Sequence, residues 1–194
     1  MLSGPFAIIF YAIDVFRGAG VDANEHLAAI ITAVVRIAGG VLGIYLVQKL
    51  SRKTHAMVTI SLMALSMIVL GIVLYLKQTS SVDSPALDFL PIICVSLYLF
   101  SFGAGVGPLQ WVFLGELLPP EYKVLSGLIV SVASGTIFVV TKIFPALLDL
   151  LASYGTYWLF ASFSLSANIL YFFFLPETKG KTLLEIQQIF SKQL

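Results

Sequence analysis

Four stretches of this chain, residues 56–76, 89–115, 124–141 and 150–176, contain no charged residue at all. A helix packed on the surface of a soluble domain needs a charged or polar face toward water, and runs of this length leave no place for one. A bilayer core takes about 20 apolar residues per helix, so each run is long enough to cross. A fifth stretch, 27–47, is interrupted once by Arg36, and a sixth, 2–16, is short for a span at ~1.5 Å per residue. None shows the period-two alternation over ~10 residues that marks a barrel strand. The sequence therefore predicts an all-α membrane protein with six transmembrane helices at about 2–16, 27–47, 56–76, 89–115, 124–148 and 156–175, forming one bundle over residues 1–175.

Composition removes other classes. Charged residues make up 11% of the chain, against about 25% in soluble domains. Eleven Lys and Arg against ten Asp and Glu give a net charge of +1, so there is no basic field to hold nucleic acid. The single cysteine, Cys94, cannot form an internal disulfide or a thiolate metal site alone. His26 and His55 fall at span edges without a second ligand at metal spacing, so no metal site is expected. No nucleophile elbow, paired carboxylate set, Walker loop or dinucleotide fingerprint occurs, and neither an enzyme nor a cofactor is expected. The opening residues lack the basic region and cleavage site of a signal peptide, so targeting is expected to come from the spans.

The connectors carry the charge. Lys49, Arg52, Lys53, Lys123, Lys179, Lys181 and Lys192 fall on one side of the alternating topology, Arg17 and Lys77 on the other. That asymmetry predicts a cytoplasmic location for the first side and for both termini. Residues 176–194 read as a cytoplasmic tail with a short helix, Thr182 and Glu185 forming a capping box and Leu183, Ile186 and Phe190 sharing a face. Gly4-Pro5 opens span one, and Gly103, Gly105, Gly107 and Pro108 interrupt span four, the corresponding helix of the second triplet. Paired interruptions of this kind point to a midplane binding site in transporters with inverted repeats, although a plain kink gives the same pattern. Gly39/Gly43 and Gly127/Ser131/Gly135, small residues four apart, are read as close helix packing. Arg36, in the middle of span two, is expected to face the bundle interior or a watered cavity with an acceptor, and Lys142 to snorkel to the interface.

Gly107-Pro108-Leu109-Gln110-Trp111, followed by Glu116, Pro119 and Lys123, resembles the G-P-x-P-W…E…P…R signature of major facilitator superfamily sugar transporters. Pro176-Glu177-Thr178-Lys179-Gly180-Lys181-Thr182-Leu183 is similar to the P-E-T-K-G motif that follows their last span, and Ser3-Gly4 with Ala7-Ile8-Ile9-Phe10-Tyr11 to the start of their seventh helix. Val34-Val35-Arg36 and Phe10-Tyr11-Ala12-Ile13-Asp14 look most like the insect facilitated trehalose and glucose transporter branch. The resemblance implies twelve helices in two bundles that rock about a sugar, this chain being the C-terminal half. It implies a small-molecule sugar, the lipid bilayer and an N-terminal six-helix half as partners, and the plasma membrane as location. By the same resemblance Trp111, Arg36, Phe102, Gly107, Ser134 and Phe6 would contact substrate. Phe10, Tyr11 and Pro108 would gate, and Glu116, Lys123, Arg52 and Glu177 would form a cytoplasmic charge cluster.

The sequence also departs from the family. Positions that usually carry polar sugar ligands read Met1, Phe6, Arg36 and Ser134, and only Trp111 is unchanged. The cytoplasmic acidic-Arg-x-Gly-Arg-Arg loop is reduced to Gln48-Lys49-Leu50-Ser51-Arg52-Lys53. Trp111 can stack on a sugar ring or serve as an interfacial or packing tryptophan. A rival reading is a transport-inactive truncated relative that senses or binds a partner.

Overall fold

The computed structural model describes residues 1–19, 25–79, 85–117 and 123–175, without the side chains of residues 25, 85–88, 116, 117 and 123. The sequence's expected tail helix, with Glu177, lies outside the described residues. Among those described every regular element is a helix. Helix α1 (Pro5–Phe10) starts with proline at its first position, where a missing N–H costs nothing. Gly4 caps it in the left-handed region (φ 76°), and a Cβ there would lie 2.4 Å from the Phe160 ring. Both facts restrict the position to glycine. Tyr11 then separates α1 from α2 (Ala12–Gly18), but Tyr11 N–H donates to Ala7 O (2.9 Å) and Val15 N–H to Tyr11 O (2.8 Å). The two short helices thus form one rod.

The next helices are α3 (Glu25–Lys49), α4 (Arg52–Thr79), α5 (Pro85–Ala104) and α6 (Val106–Leu117). Gly105 makes the break between α5 and α6, yet its N–H bonds Ser101 O (3.0 Å) and its carbonyl accepts from Leu109 (3.1 Å), so this rod also continues. Pro108 has no N–H to give the Ala104 carbonyl, which leaves that oxygen turned toward its neighbour helix.

Helix α7 (Lys123–Phe174) has 52 residues and would run ~78 Å if straight, far beyond a bilayer core of ~30 Å. It folds back instead. Ala152 leaves helical geometry at φ 54°, ψ 169°, Thr156 Oγ1 donates to Leu147 O (2.9 Å), and the Phe144 and Phe160 rings stack at 5.9 Å. In a continuous helix residues 144 and 160 would be ~24 Å apart. Two arms, 123–151 and 153–174, therefore lie side by side. Among the described residues, segments in α3, α4, α5–α6 and α7 are long and apolar enough to cross a membrane.

Helix α4 packs between α5 and α7, α3 lies along α5 and against α2, and α1 touches α7 and α5. Phe16, Met67, Val95, Tyr98, Phe144 and Tyr157 fill the centre. Lipid tails are as apolar as these side chains, so the helices are held by close packing and polar contacts more than by expulsion from water. The α3–α5 seam shows how close that packing becomes. A Cβ on Gly39 would sit 2.5 Å from the Phe100 carbonyl, one on Gly43 2.5 Å from the Ala104 carbonyl, and one on Gly103 2.5 Å from the Arg36 carbonyl. Glycine on both helices lets backbone rest on backbone, where Cα–H···O contacts add to dispersion.

The second small-residue motif behaves differently from its expectation. Gly127 and Gly135 have nothing within 4 Å of where a Cβ would be, and Ser131 is exposed and bonds back to Gly127 O (2.9 Å). Among the described residues nothing packs against the two glycines of this motif.

Candidate functional site

The described sequence-derived site residues sit on five elements: α1–α2, α3, the start of α4, the α5–α6 rod and the first arm of α7. Trp111 is 57% exposed on α6, one turn beyond Gly107-Pro108, so the break in the rod and the indole share one place in the fold. Gly107 rides over the Phe102 carbonyl, where a Cβ would come to 2.8 Å. Phe102 itself is only 6% exposed and belongs to the core. It meets Phe6 edge to face at 5.7 Å, and Phe6, half-buried on α1, is the nearer of the two to the surface. The structure thus brings Phe6, Phe102 and Gly107 together, with Phe102 buried behind Phe6 and lining a small cavity.

Arg36 is half-buried on α3, at the flank of the stripe Thr32, Gly39 and Gly43 that meets α5. That placement keeps it off the exposed face formed by Val34, Ile37 and Val41. The expected acceptor is not supplied here: among the described residues no ion pair or hydrogen bond to its guanidinium is formed. Ser134 is exposed on the first arm of α7 and donates to the Val130 carbonyl (2.9 Å), its own helix taking the hydroxyl proton.

Of the expected gate residues, Phe10 is 71% exposed, whereas Tyr11 is backed by the Phe144 ring at 5.4 Å. Tyr11 occupies the break between α1 and α2, so a change of angle there would move Phe10 against a fixed Phe144. Pro108 stands half-buried at the corresponding break of the α5–α6 rod.

The expected charge cluster is described only in part. Arg52 is half-buried at the start of α4, while the side chains of Glu116 and Lys123 and all of Glu177 lie outside the described residues. Neighbouring Lys53 donates to the Phe172 carbonyl (2.7 Å) at the end of α7, where a cation meets the negative end of the helix dipole.

Two residues passed over in the sequence gain a place. Gln110 lines a small cavity of about 120 Å³ behind Phe102, with Ser3, Ser164 and Tyr171 around it. Its signal was available, since a glutamine stands where the family signature has its second proline. His55, 3% exposed, is buried at the start of α4 with its ring against the Ala104 backbone. No spacing rule marks such a histidine, because its burial comes from the α5–α6 break folding over it.

Comparison with known proteins places this geometry. The family described as Sugar (and other) transporter matches residues 1–190. The facilitated trehalose transporter Tret1 of Bombyx mori is 37% identical over 190 residues, covering 96% of this chain and 37% of the relative. The same-named protein of Drosophila willistoni is 33% identical over 188 residues, covering 96% of this chain and 22% of its own length. The chain therefore spans little more than a third of the length of the first of these relatives and less of the second. Among solved structures, the proton:xylose symporter XylE bound to 6-bromo-6-deoxy-D-glucose superposes with a TM-score of 0.73 at 24% identity, covering 97% of this chain and 41% of XylE. The interrupted rods, the helical hairpin and the Gly-Pro…Trp element thus sit in part of a major facilitator fold, and the chain belongs to the sugar (and other) transporter family.

Proposed function

We propose that this chain is one six-helix bundle, residues 1–175 with a tail at 176–194, of a sugar facilitator that works by alternating access. The observation that carries the reading is Trp111, the family's one unchanged sugar contact, standing exposed on α6 directly after the break at Gly105–Pro108. An indole stacks its face on a sugar ring and offers one N–H. Trehalose or a hexose is the substrate class, in line with the relatives named as trehalose transporters.

Few hydroxyl partners surround that tryptophan in this half. Phe6 and Ser134 replace polar ligands, and a sugar hydroxyl buried without a partner costs ~1–3 kcal/mol. The remaining polar contacts must come from Arg36 and from a second, N-terminal bundle. An arginine near the bilayer centre costs ~2.5–3.5 kcal/mol on insertion scales, and a sugar or a carboxylate of that bundle would offset it. Arg52, Glu116, Lys123 and Glu177 are assigned to the cluster that holds the cytoplasmic side closed, with both termini on that side of the plasma membrane. The rival reading, a transport-inactive relative, draws its support from the same lost ligands.

Vesicle uptake of labelled trehalose and glucose separates the two. Saturable uptake is expected when this chain is reconstituted with the N-terminal six helices of the Bombyx mori relative, and none above empty vesicles with this chain alone. Absence of uptake from the paired halves, at normal membrane levels, would favour the inactive relative.

A further inference from the structure

A groove of about 670 Å³ runs along the outer side of α4 where the second arm of α7 lies against it. Val58, Leu62 and Leu65 form its floor at four- and three-residue intervals, with Met57 beside them, and Phe172 forms its wall. Val58, Leu65 and Phe172 are each more than half exposed, so this apolar channel is open along its length. Its one charged lining residue is Lys53, at the end where α4 begins. The Lys53 amine is held there twice, by the Phe172 carbonyl (2.7 Å) and by the Phe172 ring at 5.6 Å from its centroid. Lys49, at the end of α3, and Arg52 lie within four residues of Lys53 in sequence, and no acidic residue occurs anywhere between residues 26 and 82.

The dimensions select the occupant. From Lys53 to Leu65 the groove follows twelve residues of helix, or ~18 Å, close to half the ~30 Å hydrocarbon core of a bilayer. A cation at one end and one leaflet's depth of apolar floor is the complement of a lipid with a negative headgroup. We propose that this groove holds an anionic phospholipid, its phosphate at Lys53 and one acyl chain along Val58, Leu62 and Leu65. Basic residues at a membrane surface attract anionic lipid by roughly a fivefold factor each, and a fixed ammonium adds position to that attraction. Ser61, which also lines the groove, accepts a hydrogen bond from Asn168 Nδ2 (2.7 Å) and donates to the Met57 carbonyl (2.8 Å), so its hydroxyl is satisfied within the protein and leaves the floor apolar toward the chain.

Native mass spectrometry of the delipidated chain, titrated with phosphatidylglycerol and with phosphatidylcholine of the same acyl chains, tests this. Phosphatidylglycerol should be retained about fivefold over phosphatidylcholine, the factor expected for one interfacial cation. Lys53→Gln should remove the preference and Lys53→Arg should keep it. Val58→Trp, which fills the groove, should lower retention of both lipids, while Val41→Trp on the exposed face of α3 should lower neither. Equal retention of the two lipids, or an unchanged preference in Lys53→Gln, would overturn the assignment of the headgroup. Unchanged retention in Val58→Trp would overturn the groove as the site, and displacement by glycerol 3-phosphate at concentrations equal to the lipid's would replace the lipid with a soluble phosphate.

Discussion

The α3–α5 seam and the first arm of α7 are spelled alike, with small residues four positions apart, and they do opposite things. At the seam Gly39, Gly43 and Gly103 each face a carbonyl of the other helix at a distance no Cβ tolerates. On α7, Gly127 and Gly135 face open space. The difference is one of partner, not of sequence: α5 presents a backbone oxygen at Ala104, freed by Pro108, whereas among the described residues nothing lies against the α7 glycines. Small-residue spacing states that a helix can be approached closely, and the rest of the fold decides what approaches it. In the proposed transporter the approaching surface for α7 is the second bundle.

Larger side chains break this comparison in a graded way. Gly43→Leu should have the largest effect, about 3 kcal/mol or more of destabilisation, because the new side chain must push α3 off the Ala104 carbonyl. Thermal unfolding in detergent reads it directly, and a melting curve unchanged from the parent would show that the seam is looser than described. Gly135→Leu should change the same melting curve by less than about 0.5 kcal/mol, as for other surface substitutions. In the paired-halves uptake assay, however, it should reduce transport, since the stripe then meets another helix. Equal effects of the two substitutions on unfolding would erase the distinction between the regions.

Much of the fold was legible because the bilayer imposes simple rules. Uncharged runs of the right length located the long helices, and Gly103 to Pro108 located the break in the α5–α6 rod, whereas Gly4-Pro5 marked only the start of α1 and the break at Tyr11 carries neither glycine nor proline. The fold-back of α7 falls between the stretches read as 124–148 and 156–175, but at a residue with no turn signal of its own, Ala152. Phe102 shows a second limit. An apolar side chain beside a binding motif reads the same whether it faces a cavity or a neighbouring ring, and the structure shows Phe102 doing both, buried against Phe6 and lining a small cavity. His55 shows a third, because burial of one residue depends on a distant segment closing over it.

The central claim is that the exposed indole of α6 fronts a sugar path and not lipid. Cys94, the chain's one cysteine, is buried, so a cysteine introduced at Trp111 is the reactive thiol among the described residues. Trp111→Cys, paired with a cysteine-free N-terminal half in vesicles, should react with a membrane-impermeant thiol reagent, and trehalose or glucose should slow that reaction saturably. Labelling only by lipid-soluble reagents, with no protection by either sugar, would contradict the account.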